Sequence, residues 1–292
     1  ESRSALITVG STRGAEGGND MDGIMAKMNA NTGDFFTESS GSRSVAYFAS
    51  ESGKDDWIMN VCTGDDSDSF FYVVGATRGA LGDGFSKDES DGVIHPVVAK
   101  ISVENLDIVW SRQFAITGGG QATDQIAGST GLGCALVPRK TFMYVAGNVE
   151  SGAVIQSPTG EPQFTAGGED IFVARINTDN GDVNWVKQIG SRGDDRVAHG
   201  GAVVVDNNGN AVVFGDTTGD FYRKRGGDPN PSYSDLFMMV VDQQNGAHIR
   251  PLTSASAPRS RSSSTGSNIY IAIGVVLALC FALFVFFWCM SQ

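Results

Sequence analysis

Short apolar runs separated by turn residues make up the first 250 residues of the chain. The runs are rich in Val, Ile, Phe and Tyr, and the breaks between them contain Gly, Asn and Asp. This alternation is typical of β-strands joined by hairpin turns. No amphipathic helical pattern of ten or more residues comes before residue 269. The pattern therefore predicts an all-β fold for residues 1–250.

Two kinds of strand-like segment recur along this region. The first kind reaches a glycine after an apolar run, and the second resembles DIFVARINTDNGDVNW at 170–185. In the second kind, Trp110 and Trp185 each follow the basic residue of an Ala-Lys or Ala-Arg pair by ten positions. The glycines of the first kind are Gly10, Gly75, Gly147 and Gly215. Such self-similarity is the signature of a repeat architecture.

Each repeat is predicted to contain four strands joined by tight turns. Asn-Gly pairs occupy several turns and supply the positive φ angles that tight hairpins need; they are Asn180-Gly181, Asn208-Gly209 and Asn245-Gly246. Four-stranded antiparallel modules repeated around an axis are the blades of a β-propeller. We expect blades at about 22–77, 95–149 and 170–217, with partial blades at 1–14 and 235–249.

The repeats resemble the SBBP family of seven-bladed β-propeller repeats. The best match is 170–217, which carries D-x-F-V-A-R, then W-x-x-Q-x-G, then G-D-D, then D-x-x-G-N-x-x-V-x-G. The match is looser in 95–149 and looser still in 22–77. The resemblance implies a propeller of a surface or secreted protein and transfers no catalytic residue. A weaker similarity to quinoprotein propellers rests on residues 29–33, Asn-Ala-Asn-Thr-Gly.

The number of blades has two interpretations. The chain carries about 3.5 to 4 blades, because it opens with a last-strand segment and closes with a first-strand segment. Pairing of these ends would close a four-bladed ring. A ring of six to eight blades would require further sequence before Glu1, and this is the interpretation that we favour.

The last 42 residues differ from the repeats. Residues 251–268 are rich in Ser and Thr and predict a flexible linker. Residues 269–290 carry no charge, and a helix of that length spans about 33 Å, which is enough to cross a bilayer. We predict a single-pass transmembrane helix with the propeller outside the cell or in a lumen. A tail anchor with a cytosolic propeller and a GPI-attachment signal are the alternatives.

The net charge limits the classes of partner, and the positions of the cysteines bear on whether they form disulfides. The formal net charge of −12 and the lack of a Lys/Arg cluster argue against nucleic acid as a partner. Cys62 and Cys134 both lie thirteen residues before the glycine of their repeat. Because equivalent positions on neighbouring blades are expected to be too far apart for a disulfide, we predict free, buried thiols. Cys280 and Cys289 fall within the predicted membrane segment.

The sequence offers few candidates for a metal-binding or ligand-binding site. Acidic turns offer oxygen ligands for calcium, and the candidates are Asp20, Asp22, Asp206 and Asn208. The three histidines lack metal-ligand spacing. The tripeptide at 192–194, Arg-Gly-Asp, coincides with the G-D-D turn of the repeats.

The function expected from the sequence is therefore a membrane-anchored propeller that binds a protein or glycan, without a cofactor or catalysis of its own. The alternative is a propeller enzyme, a hydrolase or a quinoprotein-like protein, with its site in the central channel.

Overall fold

Antiparallel sheets form all the regular structure of the residues that the computed structural model describes. The model describes residues 5–14, 19–36, 43–50, 53–64, 69–81, 93–118, 131–161, 163–198, 203–219 and 234–249. These residues lie in one unit, Glu1–Arg250. The all-β fold predicted from the sequence is confirmed, and four-stranded antiparallel sheets within it are compatible with a β-propeller.

Four main sheets follow one another along the chain. The first contains β1 (Ala5–Arg13), β2 (Met21–Asn29) and β3 (Val45–Phe48). The second contains β4 (Asp56–Cys62), β5 (Phe70–Thr77), β6 (His95–Ser102) and β7 (Ile108–Gln113). A small ribbon pairs β8 (Ile116–Gly118) with β11 (Ala153–Ile155). The third sheet contains β9 (Gly131–Leu136), β10 (Phe142–Val149), β12 (Asp170–Asn177) and β13 (Val183–Ile189). The fourth contains β14 (Asp195–Val197), β15 (Val203–Val205), β16 (Ala211–Thr217), β17 (Asp235–Val241) and β18 (His248–Ile249).

The second and third sheets have the same strand order. A strand with the repeat glycine pairs with the following Ala-Lys or Ala-Arg strand, as β5 does with β6 and β10 with β12. The Trp strand lies beyond it, and a strand that precedes the glycine lies on the other side, as β4 and β9 do. In the fourth sheet β14 and β15 share this last position, because both pair with β16.

The sheets are offset from the sequence repeats. We expected 170–217 to form one blade, but β12 and β13 complete the third sheet while β14, β15 and β16 begin the fourth. The expected blade boundaries are therefore wrong by two strands. A periodic sequence sets the length of a repeat but not its phase. The phase is set by the long ladder from Phe142↔Asn177 to Val149↔Asp170, which joins strands from two sequence repeats.

Apolar side chains fill the spaces between consecutive sheets. One cluster joins Met25 and Phe48 of the first sheet to Phe71 of the second. Another joins Tyr72 to Phe172 between the second and third sheets, and a third joins Trp185 to Met239 between the third and fourth. Alternate residues of a strand point to opposite faces. The second and third sheets each contribute to two of these clusters, so both of their faces are buried. In the described ranges no apolar cluster joins the first sheet to the fourth.

Basic residues of the Ala-Lys and Ala-Arg pairs reach from one sheet to the next. Lys27 Nζ donates to the carbonyl oxygens of Val103 and Glu104, at 2.9 and 2.6 Å. Lys100 Nζ donates to the Thr178 carbonyl oxygen at 3.2 Å. The Trp110 indole N–H donates to the same Thr178 oxygen, at 3.1 Å. The ten-residue spacing between the basic residue and Trp thus brings two donors to one carbonyl of the following sheet.

The predicted Asn-Gly turns have the backbone that their sequence requires. Gly181, Gly209 and Gly246 have φ angles of 75°, 84° and 70°, so the positive φ predicted for them is confirmed. In the second sheet the equivalent turn position is held by Leu106, with φ 59°. Its side chain is 2% exposed and packs in the core between the first two sheets, and this burial offsets an unfavourable backbone conformation.

The described part of the chain contains no helix long and apolar enough to cross a membrane. The predicted linker at 251–268 and membrane helix at 269–290 lie outside the described residues.

Candidate functional site

The strands that precede the repeat glycine in neighbouring sheets, β4, β9 and β15, lie close to one another. β4 lies against β9, and β9 lies against β15. Cys62 at the end of β4 and Cys134 in β9 form a disulfide across a Cα–Cα distance of 6.1 Å. The prediction of free thiols is therefore wrong. It assumed that equivalent strands of neighbouring blades lie well apart, whereas β4 and β9 lie against each other.

A cleft of about 760 Å³ opens beside the disulfide, between the third and fourth sheets. Its apolar lining comes from Ala135 and from β15, where Val204 is 46% exposed. Its polar lining comes from Lys140, from the 206–209 turn and from Gln243. A concave surface with an apolar floor and a few convergent polar groups is the usual form of a ligand site.

A second cleft of about 480 Å³ lies between the second and third sheets. It shares Thr63, Leu136 and Lys140 with the first cleft. The two clefts therefore meet at the disulfide-linked ends of β4 and β9 and offer one extended surface across three sheets. We call this surface the disulfide cleft.

The turn on one side of the disulfide cleft is held by its own hydrogen bonds. Asp206 Oδ1 accepts from the amides of Asn208 and Asn210, each at 2.8 Å. Burial acts to raise the pKa of Asp206, but hydrogen bonds from Asn210, Asn208 and Gly209 outweigh it and leave the pKa lowered. The Asp206 carboxylate is therefore ionised at neutral pH and fixes the turn rather than pointing freely into the cleft.

Tyr144 ties this turn to the third sheet. Its hydroxyl donates to the Gly209 carbonyl oxygen at 2.6 Å. Burial is the main cause that raises the pKa of Tyr144, and it keeps the phenol protonated as a donor. This hydrogen bond holds the 206–209 turn that lines the cleft in one position. A surface held in this way is preorganised.

The calcium candidates do not come together. Asp22 is 4% exposed in β2 of the first sheet, and Asp206 and Asn208 lie in a turn of the fourth. Among the described residues, no three or more His, Cys, Asp or Glu side chains are grouped so that they could hold a metal ion. Calcium binding by Asp20, Asp22, Asp206 or Asn208 stays a prediction.

The Arg-Gly-Asp tripeptide at 192–194 is part of a turn between sheets. The Asp194 carboxylate accepts from the Glu169 amide at 3.2 Å and from Arg196 at 3.3 Å. The amide of Asp194 donates to Thr218 Oγ1 at 2.8 Å. These contacts support the interpretation of the tripeptide as repeat architecture. Among the histidines, His95 is buried and its Nδ1 accepts from the Ile116 amide, whereas His199 lies outside the described residues.

Buried carboxylates were missed by the sequence analysis. Asp56 and Asp195 are the second acids of the G-K-D-D and G-D-D turns, and both are fully buried. Asp56 accepts from the Ser50 amide, and Asp195 accepts from the Ser191 amide. Burial, with a smaller contribution from Asp22, raises the pKa of Asp56 to about 6. The repeated G-D-D motif could have indicated these buried acids, because an acid that recurs at one turn position of several repeats indicates a structural role.

The structural positions of the repeats lie where the pattern put them, in strands. Gly10, Gly75, Gly147 and Gly215 lie in β1, β5, β10 and β16, and Trp110 and Trp185 lie in β7 and β13. The chain matches no protein-family model, and no curated protein matches it. The likeness to the SBBP repeats therefore stays a prediction based on the residues quoted above.

Proposed function

We propose that the chain is a membrane-anchored β-propeller that binds a protein or glycan at the cell surface, and that the disulfide cleft is its binding site. The observation that carries the proposal is the Cys62–Cys134 disulfide, whose two cysteines line the cleft of about 760 Å³. Disulfides persist in oxidising compartments and are rare in the cytosol. This chemistry favours the outward orientation over a cytosolic tail-anchored protein.

The form of the cleft supports a binding role. Its apolar floor offers buried area, while amide groups of Asn208 and Gln243 and the ammonium group of Lys140 offer directional contacts. Amide and ammonium donors of this kind suit hydroxyl-rich glycans and peptide carbonyl groups. Catalysis has no part in the proposal, and the anchor is assigned to the predicted helix at 269–290.

The orientation is tested by protease protection on intact cells that express the chain with a tag after Glu1. External protease is expected to remove the tag and digest the propeller. Digestion only after the cells are permeabilised would contradict the surface location.

The site is tested with Val204→Glu, which puts a charge on the apolar floor of the cleft. Cells that display the chain are screened against immobilised glycans and extracellular-matrix proteins, and the strongest ligand is titrated. Val204→Glu is expected to weaken its binding at least tenfold. The matched control is Val109→Glu, because Val109 is also a half-exposed strand valine, at 50%, but lies outside the disulfide cleft. Equal effects of the two variants would contradict the assignment of the site.

A further inference from the structure

Two neighbouring strands beside the disulfide cleft each have one open edge. Within the residues that the structure describes, β9 pairs with β10 alone, and β15 pairs with β16 alone. Residues 134–137, in β9 and just after it, and residues 203–206, in β15 and just after it, line the cleft. The third and fourth sheets have all four strand positions filled. These two edges are therefore ones that complete sheets leave open.

The hairpin between β9 and β10 shows which main-chain groups of β9 face its open edge. The Val137 amide donates to the Phe142 carbonyl oxygen at 3.2 Å. Along an antiparallel ladder, hydrogen-bonded pairs alternate with pairs that are not hydrogen-bonded. Leu136 and Cys134 come one and three positions before Val137 in the same register. Their N–H and C=O groups therefore point away from β10, towards the open edge.

The hairpin between β15 and β16 gives the same result for β15. The Asp206 amide donates to the Asn210 carbonyl oxygen at 3.0 Å. Val205 and Val203 come one and three positions before Asp206, so their N–H and C=O groups point away from β16. Val203 is only 4% exposed, and a buried main-chain group without a partner costs free energy. The cleft is thus bordered by main-chain donors and acceptors from two strands.

The side chains that line the disulfide cleft favour a polypeptide over a sugar as the ligand. Leu136, Val137 and Pro138 give both parts of the cleft an apolar lining, on which the apolar side chains of a peptide can pack. Sugar rings, by contrast, generally stack on exposed aromatic side chains. The described lining contains one aromatic residue, Tyr72, and it is fully buried.

We propose that the ligand of the disulfide cleft is an extended, mainly apolar segment of a protein. Its backbone exchanges hydrogen bonds with the open edges of β9 and β15, at Leu136 and Val205, and its apolar side chains pack on the lining of the cleft. Main-chain hydrogen bonds supply affinity, and side-chain fit supplies specificity. This inference rests on the function proposed above, because it names the class of ligand for the same cleft.

A phage-displayed library of random linear heptapeptides supplies the probe. The library is selected on the full chain in detergent without reductant, and the most strongly enriched peptide is synthesised with a label for fluorescence anisotropy. Two further versions of this peptide carry methyl groups on alternate amide nitrogens, one version for each register. They keep every side chain but lose half of the main-chain donors. They therefore separate main-chain pairing from side-chain contact.

Two variants of the chain remove an edge N–H group without removing one that faces the neighbouring strand. They are Leu136→Pro in β9 and Val205→Pro in β15, and proline is tolerated at an open edge of a sheet. The matched controls are Leu136→Met and Val205→Thr, which keep the N–H group and the approximate size of the side chain. Thermal unfolding shows whether each variant is folded. Amide hydrogen exchange of the wild-type chain, with and without peptide, gives a readout that needs no variant.

Methylation in one register is expected to weaken binding at least tenfold, and methylation in the other less than threefold. Leu136→Pro and Val205→Pro are each expected to weaken binding at least tenfold, and their controls less than threefold. Bound peptide is expected to slow amide exchange at Leu136 and Val205 but not at Ala135 and Val204, whose amides face the ladders.

Three results would overturn the peptide ligand. They are the lack of any enriched peptide, equal binding of the two methylated versions, and unchanged amide exchange at Leu136 and Val205. A glycan whose binding Val204→Glu weakens would also overturn it, while leaving the disulfide cleft as the binding site. A ligand that Val204→Glu does not affect would instead contradict the proposed site itself.

Discussion

The guanidinium group of Arg175 in the third sheet donates from Nη1 to the carbonyl oxygen of Gln243 in the fourth, at 2.7 Å. The Trp185 indole N–H donates to the same oxygen at 3.3 Å. Lys100 and Trp110 make the same pair of contacts with Thr178 one sheet earlier. A cation and an indole that meet at one carbonyl therefore join successive sheets, and this explains why the repeats keep both residues at a ten-residue spacing.

Replacing Lys100 tests this link between sheets. Lys100 Nζ lies 4.1 Å from the centre of the Phe70 ring as well as donating to Thr178. Lys100→Met keeps the apolar stem but removes both interactions, and we expect a loss of about 1–3 kcal/mol in the free energy of unfolding. Urea denaturation measures the loss. Lys100→Arg is the control, since Arg175 already fills the equivalent position, and a loss as large as that of Lys100→Met would contradict a role for the charge.

Removal of the disulfide should destabilise the chain. The bond joins residues 72 positions apart, so it restricts a large loop in the unfolded state. The double variant Cys62→Ala, Cys134→Ala is expected to lose about 3–4 kcal/mol in the free energy of unfolding. Chemical denaturation compares this variant with the wild-type chain, with and without reductant. Reductant should destabilise only the wild type, and an equal response of both would show that the bond does not form.

Stability should fall as the pH rises from about 4 to 7, because buried acids bind protons more tightly in the folded chain. The pKa of Asp56 is raised from 3.8 to about 6, chiefly by burial. Between these values the folded chain holds more protons than the unfolded chain, so unfolding releases protons and a higher pH favours unfolding. Burial also raises the pKa of Asp170 and of Asp195, which adds to the same trend.

Asp56→Asn isolates the contribution of this one acid. The amide cannot ionise, so the dependence on pH is expected to flatten by at most about 1.4 kcal/mol per pH unit between pH 4 and 6. Urea denaturation at half-unit intervals of pH gives the slope. Asp107→Asn is the control, because Asp107 is an exposed acid beside Arg43. An unchanged slope in Asp56→Asn would show that Asp56 titrates normally.

The sequence could predict the strands but not how they group or converge. The spacing of Gly75 and Gly147, together with the Ala-Lys and Trp positions, is enough to place a strand at each of these sites. The phase of the sheets depends on which hairpins form long ladders, and a periodic sequence contains no mark of this. The disulfide depends on the distance between β4 and β9, which is set by the packing of whole sheets. The disulfide cleft follows from that same convergence and was therefore not predicted.

Two glycines at the same repeat position should respond differently to substitution. Gly75→Ala would force a methyl group into the Trp57 carbonyl oxygen, so we expect a loss of about 3 kcal/mol or more in the free energy of unfolding. Gly10→Ala meets open space, and alanine restricts the unfolded chain more than glycine does, so we expect a change within about 1 kcal/mol or a slight gain. Thermal and urea unfolding of both variants measures the contrast. A comparable loss at Gly10 would show that a backbone approaches Gly10 as closely as Trp57 approaches Gly75.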